Sequence, residues 1–337
     1  MHGCVDAPAL IVPDLNLAMI GAHSGAFVAF NYKTGKLYWK QILDSPVFGK
    51  SCLFKSSVFV GTRSGIVYRI RIDNGTIMFK FDTGSQIKHG IWVNDIPNHV
   101  MVNNYSKELL VFNEDLTIIE SIQDFGILNS KPIHYKDSWI GVTLKGEVLE
   151  ISKNSFLKNS CSKNSFKTVL FDLKSPVLSK ACLHENHLYL GCTRGKFYKI
   201  SILERKIMKI IDLEKPILSQ PIICKDSRVM ISAMNEFLVT DLDFNPSSWI
   251  RHRFDEKQKI LSQIGVNQNA VVIGSTCSLF LFEFDDNGDS KKTVIFENTD
   301  KETMFSPIKC VQNGSDKSFY LVYGSRNDLC SVLRINY

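Results

Sequence analysis

Five short segments share one design: Phe48-Gly49-Lys50-Ser51, Asn129-Ser130-Lys131-Pro132, Leu178-Ser179-Lys180-Ala181, Leu218-Ser219-Gln220-Pro221 and Leu261-Ser262-Gln263-Ile264. Aligned on the Ser or Pro, each offers one polar slot, occupied in turn by Lys50, Lys131, Lys180, Gln220 and Gln263. Lysine is a donor that carries charge, and glutamine adds two amide donors and an acceptor. If the fold brings the five slots round one axis, they form a ring at a channel mouth that attracts an anion, a phosphate or a carboxylate.

Other chemistry is poorly served. The chain has no G-x-S-x-G elbow, no phosphate loop of the GxxxxGK[ST] type and no HExxH. His184-Glu185-Asn186-His187 spaces its histidines by three and reads as a turn between strands. Asp285-Asp286-Asn287-Gly288-Asp289 lacks the distal Glu of a calcium loop and reads as a hairpin turn. No catalytic residue and no metal ligand is expected. The nine cysteines include no CxxC pair and sit mostly in apolar runs, as buried thiols of a reducing compartment do. The opening residues carry no basic segment ahead of an apolar one, so no export signal is expected and the predicted location is cytoplasmic.

The 337 residues are 44% hydrophobic and 22% charged, enough to bury a full core. A net charge of +6 is far below the density of a dedicated nucleic-acid binder, and no apolar run is long enough to span a membrane. Neither nucleic acid nor membrane is an expected partner.

What must position the slots is a repeat. Ile20-Gly21-Ala-His-Ser-Gly25-Ala-Phe-Val, Val60-Gly61-Thr-Arg-Ser-Gly65-Ile-Val-Tyr and Leu190-Gly191-Cys-Thr-Arg-Gly195-Lys-Phe-Tyr are three clear copies. Each is an apolar strand, a glycine turn and an alternating strand; Thr-Gly or Asn-Gly then turns the chain into another strand. Weaker copies complete a series anchored near residues 21, 61, 103, 141, 191, 232, 274 and 324, spaced by 38 to 50. A further strand precedes each hairpin, as in Asp6–Val12 and Ser219–Cys224, where proline is tolerated at the first residue. Four strands in about 40 residues with almost no helix is the signature of a β-propeller blade. The expected fold is one all-β domain, 1–337, with eight blades; the weakness of units three, six and eight leaves seven as the alternative count.

The Gly-His and Trp-Asp marks of WD40 repeats and the double glycines of kelch are absent. The pattern instead resembles the repeats of pyrroloquinoline-quinone (PQQ) proteins, quinoprotein-alcohol-dehydrogenase-like propellers, with Trp39 as the closing tryptophan. Cys4-Val-Asp-Ala7, Ile20-Gly-Ala-His-Ser24 and Gly35-Lys-Leu-Tyr-Trp-Lys-Gln-Ile-Leu43 resemble the start of the C-terminal propeller of the beta-alanine-activating enzyme family. The resemblance is specific over roughly the first 80 residues. It implies partners in the same longer chain, an ATP-dependent adenylation domain and a phosphopantetheine carrier domain, beside which the propeller is a non-catalytic docking platform. The motifs of both catalytic parts are missing from these residues, so ligase chemistry is not assigned to them. No cofactor is expected, quinone included. The alternatives are a quinone- and calcium-dependent dehydrogenase and a free-standing protein-interaction scaffold.

Two further expectations concern the outline. Residues 152–168, with the pentamer SKNSF twice and no acid, read as a polar loop on the outer side that could dock an acidic partner. The thirteen residues after Gly324 suffice for one strand but not two, so the eighth blade should show an open edge along 331–337, as in a portion of a longer chain.

Overall fold

The computed structural model describes residues 3–89, 91–94, 99–113, 115–152, 167–224, 228–267, 270–284, 290–297, 307–312, 318–325 and 329–336. They form eight antiparallel sheets, seven of four strands and one of three, each running through its strands in chain order. Blade 1 is Leu10–Val12, Leu17–Gly21, Ala26–Asn31 and Leu37–Ile42. Blade 8 is Lys309–Gln312, Ser318–Gly324 and Cys330–Asn336.

Burial follows from stacking. Leu17–Gly21 is buried along its whole length, because blades cover both of its faces. The outer strand Leu37–Ile42 alternates, with only Trp39 buried. Apolar clusters fill every seam between neighbouring blades. The one that closes the ring joins Val28 and Phe30 of blade 1 to Tyr320 and Val322 of blade 8. First strands of neighbouring blades touch, as in blades 2 and 3 or 7 and 8, and so surround the axis.

The anchor glycines are explained by close approach. In five blades an aliphatic side chain, from the following connection or for blade 8 from the segment before blade 1, sits on a glycine at the end of the second strand. A methyl group on Gly21, Gly61, Gly191, Gly274 or Gly324 would collide with Val47, Ile87, Ile217, Ile308 or Val5 respectively. Each turn also donates a backbone hydrogen bond to the preceding connection: Arg63 to the Pro46 carbonyl, Thr193 to that of Pro176, Met234 to that of Pro216. The same bond runs from His23 to the Cys4 carbonyl, and Val5 donates to Ser325. Residues 3–5 therefore act towards blade 8 as each connection acts towards its own blade.

Some details differ from expectation. The first strand of blade 1 starts at Leu10 rather than Asp6, because Pro8 has no N–H to give the ladder. Ser152, Lys167 and Thr168 belong to strands, Glu147–Ser152 and Lys167–Asp172; residues 153–166 lie outside the described residues. The Asp285–Asp289 turn also lies outside them.

Candidate functional site

The slots stand at the inner rim because the approaches to the first strands are pinned there. The buried Ser179 hydroxyl donates to the Gly191 carbonyl at 2.8 Å, which fixes the backbone just before Lys180. Asn129, also buried, reaches across the seam and donates to the Ser179 carbonyl at 2.8 Å. The Lys50 carbonyl accepts the N–H of Ile91 from the first strand of blade 3. Slot and neighbouring blade are thus tied by hydrogen bonds to main-chain carbonyls.

Lys50, Lys131, Lys180 and Gln220 line one cavity of about 580 Å³, with Cys52, Trp92 and Ile133 among its walls. His89 lines it too; its ring stacks on Tyr105 and shares a 2.8 Å hydrogen bond with the Tyr105 hydroxyl. Burial, and then the charge of Lys88, lowers the pKa of His89, which holds it neutral at pH 7. A second, smaller cavity of about 190 Å³ adjoins, sharing Trp92, Val93 and Lys131 and lined further by Met101 and Trp139.

A fourth lysine stands within electrostatic reach of the others. Lys309, on the first strand of blade 8, has its pKa lowered to about 8 by burial and by the charges of Lys50 and Lys180. Lys180 is lowered by burial and by Lys50; Lys50 is lowered by burial and by Lys131. Lys50, Lys131 and Lys180 line the same cavity, so their charges repel. Among the described residues none of the four forms an ion pair with a carboxylate. An anion placed between them would relieve both the repulsion and the loss of hydration.

The slot alignment missed Lys309 because Pro307 is the marked residue of blade 8 and the lysine comes two positions later. It missed His89 because Lys88-His89-Gly90 carries neither Ser nor Pro. Gln263 lies on Ile260–Asn267, but a bulge between Ile260 and Ser262 puts Ser262 opposite Gly274 and Gln263 opposite Ile273. In blade 5, continuing the ladder back from Cys182 and Tyr189 brings Lys180 level with Gly191. Gln263 is therefore one residue out of that register, and its side chain is outside the described ones.

The remaining chemistry-bearing residues are structural. His184 and His187 pair across a tight hairpin whose tip holds Glu185 at φ 53°. Among the described residues no three His, Cys, Asp or Glu side chains are grouped as a metal site. The Cys52 thiol on the channel wall is pushed up to about 12 by burial, which leaves it without nucleophilic character at neutral pH.

No family model matches the chain, and no curated protein matches it in sequence. Its fold does match solved structures. The crystal structure of BamB from Moraxella catarrhalis superposes with a TM-score of 0.73 at 11% identity, over 98% of this chain and 96% of that one. The Saccharomyces cerevisiae protein Sqt1 gives 0.75 at 12% identity over 99% and 96%. The computationally designed protein Ika8 gives 0.74 at 14% identity over 99% and 97%. Identities this low carry the architecture and nothing finer. With eight sheets stacked about a common axis, the protein is an eight-bladed β-propeller.

Proposed function

We propose that this propeller is a non-catalytic binding module that takes an anionic group, a phosphate or a carboxylate, into its axial channel. The observation that carries the reading is the convergence of Lys50, Lys131 and Lys180 on one cavity without a carboxylate partner among the described residues. Crowding like charges into one cavity costs stability unless a ligand uses them. Trp92 and Lys131 border both cavities, so the ligand is an anionic head with a short, slender arm.

Calorimetric titration with inorganic pyrophosphate tests this. The intact chain should bind, and the Lys50→Gln, Lys131→Gln, Lys180→Gln triple variant should not. Equal binding by the two proteins would reject the site.

The finer reading is that the module serves an enzyme of the beta-alanine-activating type, docking its carrier arm. Its support is the run of motifs between Cys4 and Leu43. A phosphopantetheine arm is a phosphate followed by a slender amide chain, which suits the two adjoining cavities. Under this reading 4′-phosphopantetheine binds more tightly than pantetheine and competes with pyrophosphate; equal affinity of the two would count against it.

A further inference from the structure

The seam between blades 8 and 1 differs from its neighbours on the outside of the ring. Seven blades have a fourth strand, and the eighth, among the described residues, ends with Cys330–Asn336. That strand pairs with Ser318–Gly324 without a register shift, from Gly324 opposite Cys330 to Ser318 opposite Asn336. The Ser325 N–H donates to Leu329 across the hairpin. Hydrogen-bonded pairs alternate with non-bonded ones, so this bond sets the parity of the ladder. Ser331, Leu333 and Ile335 turn their main-chain groups to Ser318–Gly324, and Cys330, Val332 and Arg334 turn theirs outwards along the edge.

Beside this edge runs a groove of about 700 Å³, walled by Phe30, Tyr32 and Gly35 of blade 1 and by Tyr320 and Val332 of blade 8. At the next seam, between blades 1 and 2, the same place is filled. On blade 2 the Trp39 ring of the preceding blade's fourth strand lies over Gly75, where an added Cβ would come within 2.7 Å of it. The Trp39 indole N–H donates to the Ile72 carbonyl at 2.8 Å, and the Gln41 amide donates to Gly75 at 2.8 Å. Gly35 and Tyr32 are the blade 1 counterparts of Gly75 and Ile72. Gly35 has the same φ as Gly75, 74° against 75°, and an added Cβ would meet nothing within 4 Å. Trp39 itself pairs with Ala29, two residues beyond the partner of Gly21; the corresponding residue of blade 8, two beyond the partner of Gly324, is Val332. The groove also carries charge: Lys33, Lys40 and Arg334 border it, all exposed, and none is in an ion pair among the described residues.

We propose that this seam is a docking groove for an extended segment of a partner protein, which adds as the fourth strand of blade 8, seats an aromatic side chain over Gly35 and sets carboxylates against Lys33, Lys40 and Arg334. Main-chain pairing with the open edge gives the segment its orientation, and the aromatic seat and cationic rim select its sequence. The surface is remote from the channel lysines in kind and in place: it reads an extended backbone, not a small anion.

A synthetic peptide tests it. The probe is residues 36–44 of this chain, the strand that fills the equivalent seat on blade 2, with Lys36→Glu and Lys40→Glu to match the rim. Titrated by fluorescence anisotropy into the full-length protein, it should bind saturably, and replacing its tryptophan by alanine should weaken binding at least about tenfold. Val332→Pro in the protein removes an outward N–H while sparing every bond within the blade, and should weaken binding comparably. Hydrogen exchange on the unmodified protein supplies a readout that needs no variant: the peptide should protect amides within 330–336. Raised salt, or the triple change K33E, K40E, R334E, should also weaken the complex. The proposal is overturned by absence of saturable binding, by binding without protection of 330–336, or by self-association of the free protein through this edge that the peptide fails to disperse.

Discussion

Truncating Val5 to alanine tests whether residues 3–5 close the ring as the blade connections do. Val5 is fully buried, 0% exposed, and sits on Gly324 just as Val47, 1% exposed, sits on Gly21. Removing two methyl groups forfeits about 1.6 kcal/mol of transfer free energy, and the cavity left behind raises this to about 2–3 kcal/mol. For a chain of this size each kcal/mol moves the midpoint by roughly 2 °C, so Tm should fall by about 4–6 °C. Val47→Ala is the internal reference, since it removes the same groups at a seam between two four-stranded blades, and its loss should match within about 0.5 kcal/mol. Leu15→Ala, at a half-exposed site, should leave Tm nearly unchanged. Differential scanning calorimetry on the three variants decides it. A Val5→Ala protein that melts with the unmodified chain, while Val47→Ala loses several degrees, would refute the equivalence.

Other outcomes follow from the same geometry. Gly191→Ala drives a methyl into Ile217 and should cost about 1–3 kcal/mol by chemical denaturation, while Gly191→Ala with Ile217→Ala should cost less than the sum of the singles. Sulfate does not titrate near neutrality, so its affinity reports the protein alone: calorimetry should show binding weakening as pH rises through about 8, where Lys309 loses its proton. The sign for stability without ligand is opposite. The unfolded lysine holds its proton to a higher pH than the folded one, so this group makes the protein more stable as pH rises above about 8. Cys52, Cys310 and Cys330 have thiols raised to about 12, so at pH 8 a disulfide reagent should label them in native protein at least a hundredfold more slowly than in denaturant.

The propeller was legible because its punctuation is local. Gly21, Gly61 and Gly191 recur where a Cβ would strike the inward connection, so packing imposes the same letter at the same phase. Blade 3 was faint because another solution replaces glycine there. Asn103 puts its side chain into the seam, donating to the Glu108 and Gly126 carbonyls and accepting the Leu128 N–H, and an amide looks like nothing in the repeat. Three lysines of the channel were visible through the Ser/Pro mark that pins their backbone. Lys309 and His89 were not, because membership of a ring depends on which side of a strand faces the axis. The bulge that shifts Gln263 is likewise a tertiary feature, absent from any spacing. The groove between blades 8 and 1 required the ring to be closed before the seat over Gly35 could be compared with that over Gly75.

The most direct measurement on the central claim is crystallographic. A crystal of the full chain soaked in selenate and measured at the selenium edge should show an anomalous peak inside the channel, within hydrogen-bonding reach of the Lys50, Lys131 and Lys180 ammonium groups. The peak should be lost from crystals of the triple glutamine variant. Selenate bound only elsewhere on the surface, or a channel peak that survives loss of the three lysines, would contradict the account.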